Sequence, residues 1–346
     1  MKAFSHLKID GFSDCHVQGI AIDKKREYMY FSFTTSLVKT DLCGNVIGSV
    51  KGIVGHLGCL SYNSADGRVY GSLEYKNDSI GKGILRTENC DIAFDDRFYI
   101  AAFDVEKITR TDMDAEKDGI MTAVFLKDAT DDYNADGHRY GCSGIDGITF
   151  APAPGEKEGS FIYVAYGIHG DTKRKDNDHQ VLLRYCPEEL RQYEKPLNQH
   201  GLHTSGPEKP LGKYFVLTGN TTYGIQNLEY DSDNNCLFAA VYKGKKLWYP
   251  NYSMFAFDIS KPSVNLKLKG LCESGEVLTL RKLPFFRKIG KISGCNFPHG
   301  STGMISLGNG SFLFSEDFRN ENGYGTDVYS YKLCPEKGFE KEEILL

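Results

Sequence analysis

The chain has 346 residues, 40% of them hydrophobic and 25% charged, with a net charge of -5; this is the make-up of a folded globular chain and speaks against disorder. No basic stripe is present, so nucleic acid is not an expected partner, and no apolar run approaches the ~18 residues of a membrane span. The opening MKAFSHLKIDGF lacks the apolar core of a signal peptide, so the expected compartment is the cytoplasm.

In chain order, one pattern is written five times: a polar residue, a short apolar run, a turn and a second apolar run. HVQGIAIDKKREYMYFSF begins at His16 and is followed by LVKTDLCG (37–44) and VIGSVKGI (46–53). HLGCLSYNSADGRVYGSLEY begins at His56 and is followed by FYIAAFDV (98–105) and MTAVFLKD (121–128). GIDGITFAP carries Asp146; SFIYVAYGIHGD, VLLRYCPEEL (181–190) and KYFVLTGN (213–220) come after it. GIQNLEYDSDNNCLFAAVYKG carries Gln226 and leads to SMFAFDIS (253–260) and EVLTLRKL (276–283). PHGSTGMISLGNGSFLFSEDF (298–318) leads to DVYSYKLCPEK (327–337) and FEKEEILL (339–346).

These runs alternate apolar with polar and stop at Asp, Asn, Gly or Pro, the mark of half-buried strands. Five units of four antiparallel strands predict an all-β, five-bladed β-propeller. The blades fall near 13–53, 54–127, 142–219, 222–283 and 298–346, with the stretch before residue 13 helping to close the ring. Closure uses residues 4–9, the final strand, or both. Only PEELRQYEK (187–195) has the makings of a helical turn or two. The surplus length lies in loops 77–96, 128–144, 167–179 and 194–212, and long loops in a compact fold usually carry function. The ten cysteines stand singly, with no CxxC pair, and read as reduced, buried small hydrophobes.

In a propeller the inner strand of each blade begins on one face, and the antiparallel second strand ends there. That gathers His16, Gln18, His56, Asp146, Gln226, Asn227, His299, Ser301 and Thr302 around one mouth. Glu74, Tyr166, His169, Asp171, Lys243, Glu316 and Asp317 form the next ring out. Such a set is either a ligand site or a set of turn caps and channel-filling polar groups. Three chemistries suit it. His16, His56 and His299 with Asp146 would hold Zn, Mn or Fe. Asp146, Glu316, Thr302 and Gln18 would suit Ca. Without a metal, His56, Asp146, His299 and Glu316 are the acid–base candidates. Lys243 would then offset negative charge, and Gln18, Glu74, His169, Gln226, Asn227 and Ser301 would hold the substrate. The expected function is a hydrolase or lyase for a small polar or anionic molecule, such as a sugar derivative or a phosphoester. The other reading is a non-catalytic, ligand- or protein-binding propeller.

Louder motifs carry less. DYNADG (132–137) opens like a calcium loop, but Ser143 stands at the twelfth position where Glu is required; DAEKDG (114–119) has Phe125 there and reads as a turn. KGKKLWYP (243–250) sets three lysines beside the only Trp, which reads as a solvated hairpin or a rim site for an anion or a sugar. IGKGIL (80–85) lacks the phosphate-loop spacing.

The repeated units resemble the β-propeller superfamily over essentially the whole chain. PHGSTGMISL followed by FLFSED is similar to the His-Gly-x-Ser-Ser strand and acidic strand end of the five-bladed calcium-activated nucleotidases. That resemblance implies a central calcium on Asp146, Thr302 and Glu316. Gln18 and Gly58 stand where that family carries a serine and a glutamate. The five-bladed glycosidases are a second comparison, matched at Asp146.

Overall fold

Short runs such as GIAI (19–22) and YMYFSF (28–33) bury both faces along nearly their whole length. Side chains of this kind fit a pleated surface sandwiched between neighbouring sheets. The computed structural model describes residues 3–13, 15–219 and 222–346, and of 11–13 only the backbone. Strands make up 49% of the chain and helices 8%, so sheets carry the fold.

The sheets are five blades of a β-propeller. Their inner strands are Gly19–Ile22, His56–Asn63, Cys142–Ala151, Thr222–Asp231 and Met304–Gly308. Each touches the next, and the fifth touches the first, so the ring is closed. In blade one the order outward is Gly19–Ile22, Tyr28–Phe33, Ser36–Asp41 and Val46–Lys51. The other blades repeat this antiparallel meander.

Chain from the next blade extends three of the sheets. Met113–Asp114 pairs in parallel with Val46–Lys51 of blade one. Lys195–Pro196 pairs with Met121–Phe125 of blade two. Ser274–Val277 pairs in parallel with Gly212–Leu217 of blade three and brings with it the partner strand Val264–Lys267. Covered edges cannot template pairing with another chain.

Both expected closures are used. His6–Ser13 lies beside Gly323–Cys334 as the outer strand of blade five, and Ala3–Phe4 pairs with Ile344–Leu345. Phe4, Leu7 and Ile9 pack in one core with Phe31 and Val38 of blade one and Leu313 and Val328 of blade five. Residues 1 and 2 of the expected closing segment lie outside the described residues.

Several expectations give way. The loop at 77–96 contains a helix, Ser79–Thr87, capped by the Asp78 carboxylate, which accepts from the Ile80 and Gly81 amides. Its two glycines masked a helical spacing that buries Ile84. A second helix, Lys127–Asn134, takes up the first three residues of DYNADG. Asp132 is buried there, accepting from Tyr166 Oη and paired with Lys213, so the segment is not a calcium loop. The run at 276–283 divides, with Ser274–Val277 joining blade three and only Thr279–Leu280 staying with blade four. KGKKLWYP is not a solvated hairpin: Lys246 is buried, ion-paired with Asp178 and donating to Arg174 O and Asn177 Oδ1. All ten cysteines are unpaired, but only Cys59, Cys142 and Cys236 are buried, while Cys43 and Cys272 are exposed.

Leu7 is 2% exposed at the seam between the first and last blades. Leu7→Ala should therefore cost about 2–5 kcal/mol in urea denaturation. A smaller loss would show that the N-terminal strand is dispensable for closure.

Candidate functional site

Three inner strands break register beside the polar residues singled out above. The shifts fall between Leu57 and Leu60, between Ile145 and Gly147, and between Ile225 and Asn227. Asp146 and Gln226 sit in the second and third of these irregularities. A bulge re-aims a side chain out of the strand's alternation, and here it turns both residues to the mouth of the ring. A cavity of 580 Å³ opens there, between blades one to four.

Blade one contributes His16, Gln18 and Thr34 to its wall. His16 Nδ1 lies 2.9 Å from Val17 O, which makes Nδ1 the donor and leaves Nε2 to accept. Gln18 Nε2 fits this tautomer, donating to His16 Nε2 at 3.1 Å and to Thr34 Oγ1 at 3.0 Å.

Blade two contributes His56 and Glu74, which face each other directly across the first two strands, and Lys76. Residues two apart on an extended chain share a face, so Lys76 follows Glu74 inward. Its Nζ lies 2.6 Å from Glu74 Oε2 and donates to Ser143 O at 3.1 Å. Glu74 Oε1 accepts from the Ile145 amide. Gly144, at φ 130°, is required beside it, because a Cβ there would stand 2.0 Å from Glu74 Oε1.

Blades three and four complete the floor. Asp146 Oδ1 lies 3.5 Å from His56 Nδ1, and Oδ2 accepts from Gln226 Nε2 at 3.3 Å. Ser72 Oγ donates to Asp146 O at 2.7 Å and fixes the backbone beneath. His169 stands farther up the wall with Tyr223 and Tyr242. The side chains of His56 and Asp146 are 14% and 17% exposed, against 1% for Glu74 and 6% for Lys76. The first two meet whatever enters; the second two support them from below.

Electrostatics follows from this burial. Burial pushes the Asp146 carboxyl up to about 6, against the pull of Lys76 and Gln226. It raises Glu74 as well. Burial works against the Lys76 charge, but Glu74 and Asp146 outweigh it and hold the ammonium above its ordinary range. His56 is pushed down to about 3 by burial and then by Lys76, so its ring is neutral at physiological pH. Burial lowers His169 too.

Not every expected residue belongs here. His299, Ser301 and Lys243 line a separate 380 Å³ pocket between blades four and five, which meets the funnel only at Tyr242. His299 Nε2 lies 3.4 Å from Glu316 Oε1, which also takes Lys341 Nζ at 2.9 Å and the Tyr331 hydroxyl at 2.8 Å. Burial lowers His299; it opposes the Glu316 charge, but Lys341, Tyr331 and His299 outweigh it and hold that carboxyl low. Thr302 Oγ1 donates to Ser315 O. The oxygen set Asp146, Thr302 and Glu316 is therefore not assembled. Among the described residues, the group with metal-ligand spacing is His56, Glu74 and Asp146, whose donor atoms lie within 4.8 Å of one another. Asn227 is buried rather than facing the cavity; its Nδ2 donates to Gln18 O and Ser301 O, both at 2.9 Å. The cation that the funnel does hold, Lys76, was not expected, although the parity of Glu74-Tyr75-Lys76 signals it.

No family model matches the chain, and no curated protein matches it. Among solved structures it is similar to the tail fibre of Staphylococcus aureus phage P68, with 12% identity, 99% of this chain and 53% of that one covered, and a TM-score of 0.42. The chain thus spans about half the length of that fibre. It is also similar to the Dos1 propeller, with 10% identity, 94% and 80% coverage and a TM-score of 0.36. Among the described residues, no helix is long and apolar enough to cross a membrane.

Two measurements probe the cluster. Lys76→Met strands Glu74 beside Asp146, and losing one partner of a buried pair costs about 3–5 kcal/mol in urea denaturation. The Lys76→Met/Glu74→Gln double variant should recover most of that loss; failure to recover would show that the two groups are not coupled. Because the fold raises the Asp146 pKa, its neutral form is the favoured one. That contribution is present below the ordinary carboxylate value and is lost as pH rises through about 6. Asp146→Asn should thus gain on the parent by a few degrees in Tm between about pH 4 and pH 7, and no further above that.

Proposed function

We propose that the funnel is the site of a hydrolase or lyase acting on a small polyhydroxylated molecule, such as a sugar derivative, by acid–base chemistry. The observation that carries this reading is the Asp146–His56 pair, open to the cavity and backed by the buried Lys76–Glu74 pair. A carboxylate that titrates at about 6 is a base matched to neutral pH. Asp146 takes the proton, from an attacking water in hydrolysis or from the substrate in elimination. Lys76, charged beneath it, offsets the negative charge that develops nearby. His56, neutral, positions Asp146 and offers its ring to a hydroxyl. Gln18 and Gln226 supply amide contacts, and Tyr223 and Tyr242 supply ring faces for a sugar.

Charge favours this substrate over a phosphoester. Glu74, Asp78 and Asp146 line the funnel against the single ammonium of Lys76. Charge also bears on a divalent metal at His56, Glu74 and Asp146. Zn or Mn suits that donor set, but it would have to draw Glu74 from Lys76, whose ammonium already stands 2.6 Å away. The reading is therefore metal-independent, and full activity after dialysis against EDTA is expected of it.

The test is a screen of nitrophenyl glycosides, sugar lactones and phosphomonoesters. Turnover of a glycoside or lactone should fall by about 10²–10⁴ in Asp146→Asn with Tm no lower than the parent's, and in the parent it should rise with pH through about 6. If no compound turns over, while a sugar raises the Tm of the parent but not of Asp146→Asn, the propeller binds without catalysis.

A further inference from the structure

A second large cavity, with no part in the funnel, lies on the outside of the ring. A groove of 800 Å³ runs along the seam between blades three and four, and it shares no lining residue with the funnel. It is built by the two additions to the four-strand plan, the hairpin of Val264–Lys267 with Ser274–Val277 and the hairpin of Arg287–Ile289 with Ile292–Gly294. Leu247, Trp248, Val264, Leu266 and Ile289 are among the twelve exposed large apolar side chains of the described residues. Of these, Trp248, Leu266 and Ile289 line the groove, and an exposed apolar patch of this kind marks an interaction site.

Two further observations say what fits it. The first is charge: Lys267, Lys269, Lys288 and Lys291 line the groove, and no carboxylate does. Lys269 is engaged over the Tyr249 ring and lies 3.6 Å from Asp178, whereas Lys267, Lys288 and Lys291 make no ion pair among the described residues. On a chain of net charge -5 this is a local reversal of sign. The second is backbone: Val264–Lys267 is the last strand of a six-stranded sheet, and all four of its residues are exposed. Its outer edge therefore offers unpaired amide and carbonyl groups.

We propose that this groove docks an extended, acidic peptide segment of a partner protein, which adds as a strand to the edge of Val264–Lys267. Its main chain continues the blade-three sheet, the binding mode called β-augmentation. Alternate apolar side chains settle against Leu266, Trp248 and Ile289. Its carboxylates face Lys267, Lys288 and Lys291.

The probe is a fluorescein-labelled ten-residue peptide of alternating Glu and Val, followed by fluorescence anisotropy with the full chain. It should bind, and it should weaken with added salt. Trp248→Ala and the triple change Lys267→Glu/Lys288→Glu/Lys291→Glu should each weaken it by at least about tenfold. All four positions are at the surface, and an unchanged Tm verifies the fold. Two further peptides, N-methylated at odd or at even amides, test strand addition on the unaltered protein, and one of the two should lose binding. The proposal is overturned if the acidic peptide does not bind, if an alternating Lys–Val peptide binds as well, or if both N-methylated forms bind undiminished. It is also overturned if phosphatidylserine vesicles displace the peptide, which makes the surface a membrane site. Light scattering that shows a dimer dissolved by Leu266→Glu makes the occupant a second copy of this chain, and overturns it as well.

Discussion

Five strands have to meet around one axis, and that crowding governs the rest of the molecule. A Cβ on Gly19 would stand 2.6 Å from the Leu60 amide nitrogen of the next blade, and one on Gly147 would stand 2.7 Å from an Ile225 methyl. Only glycine tolerates such contact. Side chains of the second strands then stitch the ring together: Ser32 Oγ donates to Gly58 O at 2.6 Å and Ser72 Oγ to Asp146 O at 2.7 Å. The register shifts at the site arise in this same packed zone. The position of Asp146 is therefore set by ring closure, which ties the geometry of the funnel to the stability of the whole fold.

A buried ammonium is expensive to desolvate and must be compensated. Among the described residues three lysines are buried: Lys39 donates to Val105 O and lies over the Tyr28 ring, and the other two are met by carboxylates, with different outcomes. Lys246 is met by Asp178, Arg174 O and Asn177 Oδ1, three acceptors for three donors, and is buried. Lys76 is met by Glu74 and Ser143 O, with Asp146 close enough to feel its charge. The first arrangement is saturated and structural. The second leaves Asp146 and His56 partly open to solvent, which makes it chemically available.

Strand positions were legible because alternation and turn residues are local signals. The propeller followed from counting them. The site was legible only where depth along the strand matched between blades. His56 opens its strand and Asp146 lies within the next, and both reach the funnel. His299 precedes Met304 by a segment containing Gly300 at φ 102° and Gly303 at φ 152°. Those two left-handed turns carry it into the neighbouring pocket, and no alternation rule reveals them. The helix Ser79–Thr87 was hidden by glycines that lower helix propensity, although the Asp78 cap and the buried Ile84 favour it. Lys76 lies one residue beyond the strand that carries Glu74, where the strand's own alternation has ended.

The overlap between blades has a direction, and synthesis runs along it. The edge of blade two stays bare until Lys195–Pro196 has been made, and that of blade three until Ser274–Val277 follows. His6–Ser13 waits longest: its place beside Gly323–Cys334 exists only once all the blades between them have been made. Bare edges and a waiting strand are the features by which incomplete chains misassociate. A growing ring therefore carries an unmatched strand while four blades are made, and blade five alone gives that strand a partner.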